Sequence, residues 1–360
     1  MEIMSYGERN SSATPEPVGL AALRPYKKDT QVVSAAAIAA VPSVAKTMFS
    51  LKGKRIWVAG HRGMVGSAIV RRLQQEDCEV ITIARHAVDL TRQSETEAWL
   101  VKARPQVIFV AAARVGGIHA NASYPADFLY DNLMIEANIV HAAHSVGVAK
   151  LMLWGSSCIY PREAPQPMAE SALLAGHLEP TNEWYAIAKI SGIKLCQAYR
   201  RQHGADFISV MPTNIYGPGD NFHSENSHVP AALLWRFHEA KLAKQSEVTV
   251  WGSGMPLRDF MHVDETADAC VFVMQNYSGE NHLNIGTGEE ISIADFAERI
   301  RSVVGYQGRI VFDTRRPDGM PRKALDSSSL SQLGWSPSMS LQSGLERYYE
   351  WFLSAVALRR

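Results

Sequence analysis

Cysteine is scarce in this chain of 360 residues: Cys78, Cys158, Cys196 and Cys270 are the four, far apart and with no CxxC pair. That spacing argues against a disulfide framework or a structural zinc site, so no metal is expected, and reduced thiols suit a cytoplasmic protein. Long apolar runs are missing as well. None approaches the roughly 20 residues needed to cross a bilayer, so no membrane span is expected. Charge of one sign is also lacking. Lys plus Arg and Asp plus Glu each number 36, which leaves no bulk positive field to hold a nucleic-acid backbone or an anionic membrane. Any anionic ligand must be gripped locally. There is no internal repeat and no heptad pattern.

What is present suits a large core, with 46% of residues hydrophobic and 20% charged. Residues 1–50 are rich in Ser, Ala and Pro, hold no period, and are expected to form a disordered tail. The small apolar stretch 32–45 is too far from Met1 for a signal-peptide core and is interrupted by Pro42. Glu2, Glu8, Glu16 and Asp29 count against a transit peptide.

From Lys54 onward, short β-branched runs alternate with longer amphipathic stretches. RIWVAG (55–60), EVITIA (79–84), QVIFVAA (106–112), KLMLWG (150–155) and DFISVMP (206–212) read as strands buried on both faces. The alternation predicts an α/β fold with a doubly wound parallel sheet, spanning 51–217 with 259–285 returning to it. Gly, Pro, Asn and His cluster after Gly217, and a smaller C-terminal substrate domain is expected from 218–258 and 286–338. Residues 339–360 should form a C-terminal helix. Ligands of such sheets bind beyond the carboxyl ends of the strands.

The first strand runs into Gly60-His61-Arg62-Gly63-Met64-Val65-Gly66 and then an amphipathic segment. Glycines there tighten the turn, admit a pyrophosphate to the backbone and let the helix N-terminus face it. A tight structural turn is the plainer alternative. The second strand ends Ile83-Ala84-Arg85, where an acid would hold the ribose of NAD; Arg85, with Arg62, favours the 2′-phosphate of NADP. Asp89 is a candidate adenine contact or an ordinary cap. At the end of the fourth strand stands Gly155-Ser156-Ser157-Cys158, and 29 residues beyond Ser156 come Tyr185 and, one helical turn on, Lys189. A Tyr and a Lys at that spacing share a helix face, so the ammonium is expected to draw the phenol toward neutrality while Ser156 holds the reacting oxygen.

The strings AGHRGMVGSAI, AAARVGGI, YPADF, GSSCIYP, PMAES, LEPTNEWYAIAKI, MPTNIYGPGDNFH, NSHV, WGSG and PDGMPRK resemble the GDP-L-fucose synthases, bifunctional 3,5-epimerase/4-reductases of the extended short-chain dehydrogenase family. The resemblance covers nearly everything except the tail. It implies a Rossmann fold and NADP(H), with GDP-4-keto-6-deoxy-D-mannose as substrate. Ser156, Tyr185 and Lys189 become the reducing trio, and Cys158 and His228 the acid–base pair of epimerisation. The cofactor wall becomes the glycine turn, Trp154, Gly155, Ser156, Ser157, Tyr185, Lys189, His228, and the run Pro212, Thr213, Asn214 and Ile215. Arg236, Trp251, Arg258 and Asp318 become GDP-sugar contacts. It further implies a homodimer through paired helices, one from about Ala126 to Val146 and the other bearing Tyr185. One departure is Ile83, where relatives tend to carry a basic residue, so Arg85 and Arg62 must do more of the phosphate work. Two rivals remain: an NAD-bound nucleotide-sugar 4-epimerase or 4,6-dehydratase, and a non-catalytic NADP-binding sensor.

Overall fold

The computed structural model describes residues 48–222, 227–316 and 318–357. The expected tail lies, through residue 47, outside the described residues. All described residues fall in one unit, 46–360.

In chain order the first half holds β1 (Arg55–Ala59), α1 (Met64–Leu73), β2 (Glu79–Ile81), α2 (Gln93–Ala103), β3 (Val107–Val110), α3 (Ile118–Ser123), α4 (Pro125–Ser145), β4 (Lys150–Trp154), α5 (Glu183–His203) and β5 (Phe207–Pro212). Then come β6 (Asn214–Tyr216), α6 (Val229–Leu242), β7 (Glu247–Trp251), β8 (Leu257–Arg258), β9 (Phe260–His262), α7 (Val263–Asn276) and β10 (Leu283–Ile285). The chain closes with β11 (Ile291–Ser292), α8 (Ile293–Val304), β12 (Arg309–Asp313), β13 (Arg322–Lys323), α9 (Ser328–Gln332) and α10 (Leu341–Ala357).

A parallel sheet in the order β10-β5-β4-β3-β1-β2 forms the centre. Side chains alternate across it. Ile56 and Val58 join the core beneath α1 and α7, whereas Trp57 and Ala59 join the core beneath α2, α4 and α5. Burial on both faces explains why the strands read as unbroken apolar runs. The order reverses between β1 and β3, which opens a crevice at their carboxyl ends. β2 is shorter than the sequence suggests, stopping at Ile81 instead of Ala84. It is an edge strand, paired only through Glu79–Ile81 to Arg55–Trp57, and from Ala84 the chain turns, Ala87 N–H donating to the Ala84 carbonyl.

A second core gathers Leu233, Phe237, Val248, Phe260, Phe296 and Tyr306, with Phe260 and Phe296 stacked at 3.9 Å. Leu345, Tyr348 and Phe352 of α10 belong to it too, since their spacing lines one helix face. The main sheet and this core meet at Asp259. Its carboxylate accepts from Thr287 N–H (3.0 Å), Thr287 Oγ1 (2.6 Å) and Gly288 N–H (3.4 Å), and its carbonyl accepts from Thr213 Oγ1 and Asn214 Nδ2. Burial pushes that carboxyl up to about 6, against these donors. One residue thus ties together three passages of the chain between the two cores.

Candidate active site

The glycine turn caps the crevice. Gly60 has φ +82°, open to glycine at little cost, and a Cβ there would strike the backbone of Ala111 and Ala112 just beyond β3. A Cβ on Gly66 would strike the Gly60 carbonyl, so α1 packs directly on the turn. The N-terminus of α1 has no acid in its first turn and no side-chain cap, which leaves its N–H groups and dipole for an anion. A dinucleotide pyrophosphate fits this cradle. Arg62 and Arg85 are exposed, and Arg85 stands at the turn after β2. Asp89 Oδ1 accepts from Thr91 N–H (3.0 Å) and Thr91 Oγ1 (2.8 Å), and these bonds hold its pKa down.

On the far side of the crevice, β4 ends at Trp154. Gly155 N–H still donates to the Val210 carbonyl, and the chain then tightens into a short turn at Ser157–Ile159. Ser156 Oγ caps that turn, accepting from Cys158 N–H at 3.4 Å. Helix α5 carries Tyr185 and Lys189 on one face, the Lys189 Nζ lying 5.7 Å from the Tyr185 ring centre. Phe128 of α4 packs edge-on against that ring at 6.3 Å. Lys189 is 2% exposed and donates to the Trp154 carbonyl (2.9 Å) and to Glu136 Oε1 (2.7 Å).

The phenol does not move toward neutrality as the spacing suggested. Burial pushes Tyr185 up to about 12; Lys189 pulls it down, while Cys158 and Glu136 add to the rise. The ammonium is shared with a carboxylate, which spends much of its field. A phenol held in its protonated form is the state a proton donor needs.

Burial also raises the Cys158 thiol, opposed by the Ser156 hydroxyl, Lys323 and Lys189. His228 is the N-terminal flank of α6, and its side chain makes no cap bond to that helix. It keeps solvent access, and desolvation followed by the Lys323 charge lowers its pKa, favouring neutral imidazole. A cavity of about 30 Å³ is lined by Cys158, Ser157, Asn182, Met320 and Lys323. A larger one, about 250 Å³, lies beside Asp259 and Ser327 and touches none of the reducing trio.

The four residues expected to contact the GDP-sugar form an outer arm. Trp251 ends β7 and is 50% exposed, with the Arg236 guanidinium 4.5 Å and the Arg316 guanidinium 4.9 Å from its ring centre. Burial lowers the pKa of both Arg236 and Arg258, and Asp318 partly offsets this at Arg258. Asp318 accepts from Ser253 N–H (2.6 Å) and Ser253 Oγ (2.8 Å), so it braces the loop after Trp251. Pro212 closes β5, Thr213 N–H donates to the Ile285 carbonyl, and Asn214 and Ile215 lie in β6.

Sequence reasoning missed Glu136, Asn182, Arg316 and Lys323. Asn182 and Lys323 sit inside LEPTNEWYAIAKI and PDGMPRK, strings already singled out, so their place beside the site was available from the motifs. Nothing in the local pattern marked Glu136.

The model of the NAD dependent epimerase/dehydratase family matches residues 56–286. A putative GDP-L-fucose synthase 2 of Arabidopsis thaliana is 57% identical over 310 residues, 86% of this chain and 94% of its own. The GDP-L-fucose synthase of Escherichia coli K12 is 54% identical, over 83% of this chain and 97% of its own. Among solved structures, a GDP-L-fucose synthetase from Naegleria fowleri bound to NADP superposes with a TM-score of 0.80 at 26% identity, covering 87% of this chain and 98% of that one. On family model, whole-length identity and fold together, the chain belongs to the NAD dependent epimerase/dehydratase family and, within it, to the GDP-L-fucose synthases.

Proposed function

We propose that the protein makes GDP-L-fucose from GDP-4-keto-6-deoxy-D-mannose by 3,5-epimerisation followed by NADPH-dependent reduction at carbon 4. The observation that carries this reading is the convergence of Ser156 and Cys158, just after β4, with Tyr185 and Lys189 of α5.

The 4-keto group acidifies the protons on carbons 3 and 5. Cys158 and His228 exchange those protons, while Ser156 and Tyr185 hold the enolate oxygen as an oxyanion site. The turn from Gly60 to Gly66, with Arg62 and Arg85 for the 2′-phosphate, would hold NADPH, which would supply the hydride for carbon 4. Tyr185 gives its proton to the new alkoxide. Arg236 and Arg258 suit the diphosphate as guanidinium forks, and Trp251 offers a flat face to the nucleotide. Asp318 contributes through the loop it braces.

A 4,6-dehydratase would be expected to place an Asp-Glu pair after the catalytic hydroxyl residue, where this chain has Ser157-Cys158. A non-catalytic sensor would have no need of both Tyr185 and Lys189. NMR of the product after incubation with the keto-sugar and NADPH tests the reading: GDP-L-fucose with stoichiometric NADPH loss is expected. No net NADPH consumption would favour a 4-epimerase or dehydratase.

The same reading places the protein in the cytoplasm, with its four thiols reduced. No described helix is long and apolar enough to cross a membrane. A homodimer through α4 and α5 is supported by Tyr130 and Trp184, large apolar side chains left exposed on those helices. Sedimentation should give twice the chain mass, and a single chain mass would exclude the dimer.

A further inference from the structure

Beneath the reducing centre lies an ion pair that the reaction as written does not use. Glu136 is 1% exposed and faces Lys189 from α4 across the helix pair, at 2.7 Å. Its second oxygen, Oε2, is buried without a partner. Room for that oxygen is made by Gly192 of α5, where a Cβ would strike it. Glycine within a helix is unfavourable against alanine, so the position trades helix propensity for the carboxylate.

We infer that Glu136 is a positioning residue that keeps the Tyr185–Lys189 pair fully protonated and aimed at the cleft. The inference rests on the reading of Tyr185 as the proton donor to carbon 4's oxygen. An ammonium sealed from water without a counter-ion sheds its own proton or favours loss of the phenol's proton to solvent, and either loss disarms the pair. A tyrosinate cannot donate. A carboxylate on the far side of Nζ removes that pressure, and the Trp154 carbonyl takes a second N–H, leaving the third of the ammonium's donors for the cleft side.

The groups facing the pair are few. Tyr185 is faced by Lys189 on its own helix, by Cys158 from the turn after β4 and by Glu136 from α4, and Lys189 by Glu136, Tyr185 and Cys158. Desolvation pulls Lys189 down, but Glu136 first, with Tyr185 and Cys158, more than restores it; burial raises Glu136 and Lys189 opposes this.

The test is Glu136→Gln in the full chain, with tyrosine ring carbons and lysine side-chain carbons labelled for NMR. The Tyr185 and Lys189 signals are identified by their loss in Tyr185→Phe and Lys189→Met. The first proton should leave the pair at a pH lower by roughly 1 unit or more, the effect of removing an opposite charge at this range. The alkaline limb of kcat/KM for reduction should move down with it, and Glu136→Asp should restore most of both. If the Gln variant does not fold, Gly192→Ala retains both charges, pushes the carboxylate off Nζ and should move the midpoint the same way. An unmoved midpoint in the folded variant overturns the inference. A wild-type chain that makes no GDP-L-fucose overturns the reading of the reaction instead, while the NMR midpoint decides the role of Glu136 without any turnover.

Discussion

The reducing centre and the outer arm handle charge in opposite ways. Beside Tyr185, the charges of Lys189 and Glu136 are sealed between α4, α5 and the end of β4 and pair with each other. Around Trp251 the guanidinium groups of Arg236 and Arg316 rest on an indole half open to water. Burial makes the first site rigid and its electrostatics strong. Exposure leaves the second adaptable and its contacts individually weak. On the proposed reading, proton transfer needs the former, and capture of a large nucleotide from water tolerates the latter.

The sharpest way to break this contrast is at the buried site. Tyr185→Phe should lower hydride transfer by roughly 100- to 10,000-fold, the worth of a positioned acid, and harm epimerisation less, because Ser156 still holds the enolate oxygen and Cys158 and His228 stay in place. Deuterium wash-in at carbons 3 and 5 in heavy water without NADPH measures the second. Cys158→Ser should do the reverse, and sugar already epimerised should still be reduced. Because burial raises the Cys158 thiol, wild-type wash-in should climb with pH through the neutral range as the thiolate fraction grows. Wash-in at the normal rate in Cys158→Ser would remove the thiol from the mechanism.

Next in size is Arg85→Ala. Losing a charge-assisted bond worth roughly 1.5–3 kcal/mol should raise KM for NADPH at least tenfold and leave KM for NADH almost unchanged. Equal changes would place Arg85 away from the 2′-phosphate. A smaller effect belongs to Trp251→Ala: cation–π and stacking contacts at exposed sites are worth about 1 kcal/mol, so KM for the GDP-sugar should rise a few-fold at constant kcat. A fall in kcat of tenfold would mean that the arm is part of the chemistry.

The smallest effect concerns stability alone. Asp220, held by Tyr348 of α10 at 2.9 Å, is pushed up to about 6 by burial. A carboxyl raised above its unfolded value contributes stability below about pH 4 and loses it as pH rises through about 6. Asp220→Asn should therefore stabilise the protein by up to about 2 kcal/mol at pH 8, seen as a higher Tm, with the gain vanishing in acid. An equal gain at both pH values would assign it to packing.

The two regions also differed in how far they could be read from sequence. Tyr185, Lys189, Ser156 and the glycine turn are written in short local spacings, because a helix turn and a strand end fix their geometry. The β-branched run after Ile81 continued to look like strand, but pairing, which no single run contains, ended there at the sheet edge. Glu136 stood in an amphipathic helix where an acid reads as a solvated face; only the packing of α4 on α5 over Gly192 shows otherwise. Asp318 and Asp89 have the residue type for ligand contacts, and the structure adds what no sequence pattern shows, that Ser253 and Thr91 also donate to their carboxylates.

Asp259 gathers the passages between the sheet and the second core at one carboxylate and one carbonyl. In evolutionary terms that makes a seam. The loops of the outer arm, from Trp251 to Ser253 and around Asp318, are braced by bonds of their own, separate from that seam. On the proposed reading, the outer arm could be altered toward a different sugar nucleotide while the Lys189–Glu136 pair on α5 and α4 stays as it is. Replacing Asp259 itself would disturb both inheritances at once.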